Sequence, residues 1–277
     1  RWGGGEDERP YLPRALSVAR WREGEADFLL HDVGPGTARL CELAPGDGVW
    51  TLGPLGSHFT LPAPVPARQA EGTARSSPPG AGAAHARAIL VGGGVGIAPL
   101  VILGEAIAAA GTGPGALSLI GFRDAHHALA AELLPAARIA TDDGSLGHHG
   151  YVSDLLGEEL ARDQRARVYA CGPPAMLEAV REVCAKPGVP VELSVETPMA
   201  CGFGACHGCA VERRGGGFLR ACLDGPVFDA TLLGPLREPP DTVGAPDAPV
   251  PPVTAGTAGS VERAGTAGPG AVPGAAR

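Results

Sequence analysis

Seven cysteines occur in the 277-residue chain, and four of them fall between Cys201 and Cys222. The text CGFGACHGC at residues 201–209, with Cys222 further on, gives the spacing Cys-x4-Cys-x2-Cys-x12-Cys. Such clustering in a chain without a secretory signal reads as metal binding before it reads as a disulfide framework. The first three cysteines match the plant-type [2Fe–2S] pattern, in which a loop wraps the cluster and a fourth ligand closes it. Cys201, Cys206, Cys209 and Cys222 are therefore the candidate ligands. Four thiolates, two ferric ions and two sulfides together carry a charge of about −2, which calls for backbone N–H donors in place of bulky side chains. Gly202, Gly204 and Gly208 let the backbone curl so that its amides face the sulfurs. Zinc held by four cysteines is the alternative chemistry. Such sites more often show two Cys-x2-Cys knuckles, and only Cys206/Cys209 has that spacing. A structural disulfide set is a third reading. His207, between two ligands, reads as an exposed loop residue and not as a Rieske-type ligand.

A second feature is ILVGGGVGIAPL at residues 89–100. A strand runs into glycines and then into a helix with Pro99 in its first turn, where a missing N–H costs nothing. Described as G-x-G-x-x-P through Gly94, Gly96 and Pro99, the turn lets a dinucleotide pyrophosphate approach the backbone and the helix N-terminus. Glycines at a tight strand–helix turn also serve packing alone, so the motif leaves both readings open. Cys171-Gly172-Pro173 follows another apolar strand, at the sheet edge where doubly wound folds bind ligands. In isolation Cys171 reads as a small buried apolar residue. Thr141-Asp142-Asp143-Gly144 reads as a solvated turn, with no spacing that pairs carboxylates for acid/base work.

The elements that must carry these features alternate. Residues 14–20, 27–33 and 48–52 read as short strands broken by Gly and Pro, with a short helix over 37–43. Closely spaced short strands suggest a small barrel or sandwich. From Ala88 the rhythm changes. Strands at 88–91, 117–120, 138–140, 167–170 and 191–195 alternate with helical patterns over 97–108, 125–134, 152–160 and 176–183. That alternation implies a doubly wound parallel sheet.

Composition removes several function classes. The formal charge is −8 with no basic cluster, which argues against nucleic acid. No apolar run reaches the ~18 residues of a membrane span. No signal peptide is present, although the chain opens on Arg1, and the cytoplasm is the expected compartment.

In this order the segments resemble the electron-transfer subunits of type B dihydroorotate dehydrogenase, within the ferredoxin–NAD(P) reductase superfamily. The most specific stretch is VETPMACGFGACHGCAV followed by ACLDGPVFDA; LVGGGVGIAPL, IGFRD, ATDDGSLGHHGYVSDLL and VYACGPPAML also resemble family segments. The short gap before the fourth cysteine separates this family from reductases with a complete C-terminal ferredoxin domain. The resemblance implies that Arg14, Ala15, Leu16 and Ser17 form the flavin-edge motif. It gives Leu29, Leu30, His31, Gly36 and Thr37 to other FAD contacts. Gly94, Gly96, Pro99, Cys171, Gly172 and Pro173 fall at the NAD(H) site, and the four cysteines hold the cluster. The implied electron route links NAD(H), FAD, the [2Fe–2S] cluster and an FMN-containing dihydroorotate dehydrogenase catalytic subunit, joined to this chain in a heterotetramer that serves pyrimidine biosynthesis. No catalytic acid or base is required of this chain.

The sequence departs from the pattern in places. Ala15 stands in place of a proline, and His31 where an arginine is common. Thirteen residues precede Arg14, so an incomplete barrel is expected. The implied organisation is α/β plus β. Residues 1–61 form the incomplete FAD-binding barrel, 62–87 a linker or disordered loop, and 88–195 the NAD-binding domain. Residues 196–230 form the cluster segment and 231–277 a low-complexity tail. The competing readings are another flavin and iron–sulfur reductase of the superfamily, or a zinc-stabilised module without catalysis.

Overall fold

The computed structural model describes residues 13–62, 87–111, 115–134 and 136–237. Most of the expected linker and the tail beyond residue 237 lie outside the described residues. Val18–Arg22 (β1) and Glu25–Phe28 (β2) form an antiparallel hairpin, followed by a short helix, Pro35–Cys41 (α1). Both strands are shorter than their sequence pattern suggests. Thr37 supplies the reason for the second: its hydroxyl accepts the N–H of Val33 and Gly34 at 2.9 and 3.2 Å. The backbone before α1 is thus fixed by a side chain and not by a ladder. The strand expected over 48–52 does not form. Trp50 and Leu52 are exposed there, and no described strand pairs with them.

The nucleotide half has the expected alternation. Arg87–Gly93 (β3) leads through a 3₁₀ turn into Ala98–Ala110 (α2), and Ala116–Phe122 (β4) follows. Arg138–Thr141 (β5) and the two-residue His148–His149 (β6) precede Val152–Arg162 (α3). Ala166–Cys171 (β7), Pro174–Ala185 (α4) and Val191–Ser194 (β8) complete the unit. Instead of the helix expected over 125–134, 3₁₀ turns span His127–Leu133, because Asp124 captures the His127 N–H at 3.0 Å and three-residue turns close behind it.

Two hairpin strands, Ala210–Glu212 (β9) and Phe218–Arg220 (β10), pair with each other, and Val227–Asp229 (β11) returns to the main sheet. The seven-stranded order is β11-β8-β7-β3-β4-β5-β6, parallel except for β11. The middle strands are buried on both faces, as continuous apolar runs require. Ile89, Val91, Val168 and Ala170 face α3 and α4, whereas Ala88, Leu90, Tyr169 and Cys171 face α2. Helices on both faces are the doubly wound arrangement. Packing continues beyond residue 230, the boundary the resemblance implies: Leu233 is fully buried, and Leu236 rests on the same core. Among the described residues no helix is long and apolar enough to cross a membrane.

Residues 53–62 form an irregular strap across the sheet edge. Ser57 N–H donates to Gly225 O at 2.5 Å, and its hydroxyl to Val227 O at 2.9 Å. Thr60 donates to the buried Glu192 carboxylate through both its N–H and its hydroxyl, and Arg167 donates to the same carboxylate. Phe59 stacks edge-on against Tyr169 with centroids 5.7 Å apart.

Candidate functional site

The cysteine loop begins just past β8, where Val195 N–H donates to Pro226 O at 2.9 Å and ties the loop's entry to the strand that follows it. Gly202, Gly204 and His207 adopt φ of 76°, 82° and 58°. These left-handed residues turn backbone N–H groups inward, as an anion-binding concavity needs. Cys206 N lies 3.5 Å from Cys201 Sγ, and Gly208 N lies 3.4 Å from Cys206 Sγ. The Cys201 thiol is held down at about 6 by the N–H of Cys206 and then that of Phe203, with smaller help from the Cys206 thiol and the Ala205 N–H against partial burial.

The twelve residues between Cys209 and Cys222 are one β-hairpin, β9 to β10, whose base is closed by Ala221 N–H to Cys209 O at 3.0 Å. That closure returns Cys222 Sγ to within 3.2 Å of Cys209 Sγ. Burial pushes the Cys222 thiol up, and the neighbouring Cys209 and Cys201 act in the same direction, while the Gly204 N–H opposes them. The sulfurs therefore approach two by two, Cys201 with Cys206 and Cys209 with Cys222. Thiolates in pairs, with N–H donors aimed at them, fit a two-iron cluster that needs four cysteines. Among the described residues no three His, Cys, Asp or Glu side chains gather about a single point. A cavity of about 290 Å³ beside Arg181, Arg213 and Arg214 lies at the far end of the hairpin from the cysteines and has no part in this arrangement.

The glycine turns meet at the C-terminal edge of the sheet. A Cβ at Gly96 would stand 2.5 Å from Cys171 O and 2.8 Å from Gly172 Cα. At Gly93 or Gly172 it would meet Met176 at 2.6 Å. The β3-to-α2 and β7-to-α4 turns are thus pressed together through their glycines, with Met176 between them. Gly94, at φ 54°, borders open space. Gly94, Gly96 and Pro99 share this edge with Cys171, Gly172 and Pro173. Burial pushes the Cys171 thiol up to about 12, with the Glu196 carboxylate adding and the Ser194 hydroxyl opposing, so the sulfur stays neutral. Ser194 lies in no motif, and its position at the end of a parallel strand was the one sequence signal for it, whereas Glu196 lies in the VETPMAC stretch, where the resemblance gives it no role.

On the hairpin side, the Arg14 guanidinium lies directly over Gly36, where any side chain would overlap it. Arg14, Gly36 and Thr37 are thereby brought together. Ala15, Leu16 and Ser17 are exposed on the approach to β1. Leu29 packs on the α2-side core, Leu30 is half-buried, and the His31 ring faces His127 at 6.5 Å between centroids. His127 is held in turn by Asp124, Nδ1 to Oδ1 at 2.7 Å. In the turn after β5, Asp143 accepts both the hydroxyl and the N–H of Ser145, which holds its carboxyl below the usual range.

Residues 196–234 match the family model described as the iron–sulfur cluster binding domain of dihydroorotate dehydrogenase B, and residues 90–182 match the oxidoreductase NAD-binding domain. The chain is 36% identical over 228 residues to the dihydroorotate dehydrogenase B (NAD(+)) electron transfer subunit of Geobacillus kaustophilus, covering 80% of this chain and 79% of that one. The subunit of the same name from Desulforamulus reducens is 34% identical over 233 residues, covering 81% and 80%. A probable subunit of this kind from Methanopyrus kandleri is 33% identical over 255 residues, covering 88% and 83%. Among solved structures, an NADH-dependent reduced ferredoxin–NADP oxidoreductase superposes with a TM-score of 0.58 at 24% identity, covering 83% of this chain and 81% of that one, a likeness of fold.

Proposed function

This chain belongs to the electron-transfer subunits of dihydroorotate dehydrogenase B, and on that premise we propose that it carries electrons between NAD(H) and a dihydroorotate-oxidising catalytic subunit through FAD and a [2Fe–2S] cluster. When bound, the flavin exchanges electrons in pairs with the nicotinamide and singly with the cluster, which makes it the necessary middle station. The chain's own residues bind and orient. Cys201, Cys206, Cys209 and Cys222 hold the irons, and the N–H groups of the loop stabilise the thiolate charge. Gly94 and Gly96 let a pyrophosphate approach the start of α2, and Pro99, Cys171, Gly172 and Pro173 shape the adjoining wall. Arg14 through Ser17, Leu29 through His31, Gly36 and Thr37 form the flavin side, with Arg14 laid on Gly36. The neutral Cys171 thiol contributes shape and no nucleophile.

In this reading residues 1–61 make the flavin unit, 88–195 the NAD unit and 196–230 the cluster segment, with 62–87 joining the first two and 231–277 following. The partner is an FMN-containing catalytic subunit, assembled with this chain as a heterotetramer in the cytoplasm for pyrimidine biosynthesis. The observation that carries the reading is the pairwise approach of the four sulfurs inside a loop of inward N–H groups. The test is anaerobic purification with iron analysis, visible spectrum and reduced-state EPR, followed by NAD-dependent dihydroorotate oxidation after co-expression with a candidate catalytic subunit. Zinc without iron would refute the cluster, and iron without coupled turnover would refute the route.

A further inference from the structure

Arg220 ends β10, two residues before Cys222. Its N–H donates to Asp224 Oδ2 at 2.7 Å, and its Nε stands 3.8 Å from the same carboxylate. This turn directs the guanidinium across the base of the hairpin, where Nη1 comes within 3.5 Å of Gly204 O. Gly204 sits at φ 82°, and a Cβ on it would overlap Leu223 and stand 3.4 Å from Nη1. The bare glycine makes room for Leu223, and the guanidinium stands at ordinary contact distance beside it. The peptide joining Gly204 to Ala205 has the guanidinium at its oxygen end, and its N–H end lies in the loop between Cys201 and Cys206. A cation at a carbonyl oxygen polarises the peptide and strengthens the hydrogen bond made by its N–H.

We propose that Arg220 is a positioning residue that raises the reduction potential of the cluster site, acting directly as a nearby positive charge and through the Gly204–Ala205 peptide. The inference rests on the cluster reading above and deepens it. Reduction adds one electron to a site whose charge is already about −2 and breaks no bond, so the reduced form gains more from a cation than the oxidised form does. Asp224 offsets part of the effect, because its carboxylate faces the same guanidinium.

The experiment is a redox titration of the purified holo-complex followed by EPR, with iron content measured on every sample. Arg220→Gln is expected to favour the oxidised cluster about tenfold, which is about 59 mV more negative for one electron. Asp224→Asn, which keeps an acceptor for the Arg220 N–H, is expected to move the potential the other way, about threefold or about 28 mV. If Arg220→Gln fails to fold, the Asp224→Asn shift decides. Potentials in the folded variants that differ from wild type by less than about 1.5-fold, with iron content unchanged, overturn the role of Arg220. Wild-type protein without iron overturns the cluster reading instead, so the two failures are distinct.

Discussion

Substitution of Gly96 by alanine tests the claim that two strand-to-helix turns are in direct backbone contact. The added Cβ would lie 2.5 Å from Cys171 O, 2.7 Å from Cys171 C and 2.8 Å from Gly172 Cα. Ordinary carbon contacts are about 3.5–4.0 Å, so the overlap is about 1 Å, and none of the three atoms ends a flexible side chain. The turns cannot part easily, because β3 and β7 are hydrogen-bonded neighbours whose register runs to Gly92 opposite Cys171. Overpacking against fixed backbone belongs in the upper part of its usual range, about 2–3 kcal/mol. For a chain of this size that lowers Tm by about 4–12 °C. Gly94→Ala is the comparison. Its Cβ enters open space, and the cost is the left-handed φ of 54° alone, about 1 kcal/mol or about 2–4 °C. Thermal unfolding gives the ranking, and anaerobic NADH titration of the flavin reports the site. Separating the turns by about 1 Å is expected to weaken NADH about tenfold in Gly96→Ala. A Gly96→Ala protein that melts with wild type and binds NADH normally would refute the contact, as would a Gly94→Ala protein that is the less stable of the two.

Burial opposes ionisation of Glu159, but Arg87, Arg138 and Arg162 reach it at 2.8, 2.7 and 2.5 Å and hold its carboxyl below the ordinary 4.5. A depressed carboxyl stabilises the fold above its unfolded value and loses that contribution as pH falls through the folded value. Glu159→Gln should therefore cost about 2 kcal/mol at neutral pH in urea unfolding, discounted for the partly exposed arginines, and the difference should shrink well below pH 4.5. A gap that persists unchanged in acid would count against the ion-pair account. Cys222→Ser should abolish most of the iron and the visible absorbance, whereas the exposed Cys41→Ser should leave both intact; equal iron in the two variants would remove Cys222 from the ligand set.

Much of the nucleotide half was legible because each signal repeats along the chain. Buried parallel strands need unbroken apolar runs, and Ala88–Val91 and Arg167–Ala170 lie inside β3 and β7, which exceed them by one or two residues at an end. The cysteine spacing was equally readable, yet its meaning in three dimensions was not. Twelve residues between Cys209 and Cys222 read as a gap, and they are a hairpin whose three-residue strands are too short to show a period of two. Gly215, Gly216 and Gly217, all at positive φ, were the signal for its turn. The strap at 53–62 has no periodicity at all, since it is held by Ser57, Thr60 and Phe59 reaching distant partners. Residues 48–52 show the converse failure. Their alternation is that of a strand, but a strand needs a neighbour to pair with, and none of the described strands provides one.

The strap and the last strand have a mechanical consequence for the site. The cysteine loop is entered from β8 and left into β11, and those two strands pair with each other at Ser194 opposite Val227. The loop is therefore pinned at both ends to the same edge of the sheet, two strands away from the glycine turns of β3. Ser57 clamps that edge from outside through Gly225 and Val227, and Leu55 reaches Gly202, at 3.4 Å from where a Cβ would stand. The strap comes from the flavin side of the chain, so segments from all three expected units meet over one sheet edge. Sites built on paired strands hold their geometry better than sites on free loops. A route that depends on fixed separations between three redox groups requires that kind of support. Thr60 and Arg167 share the buried Glu192 of β8 beneath the strap, so that carboxylate locks the strap to β7 and to β8, the strand from which the cysteine loop is entered.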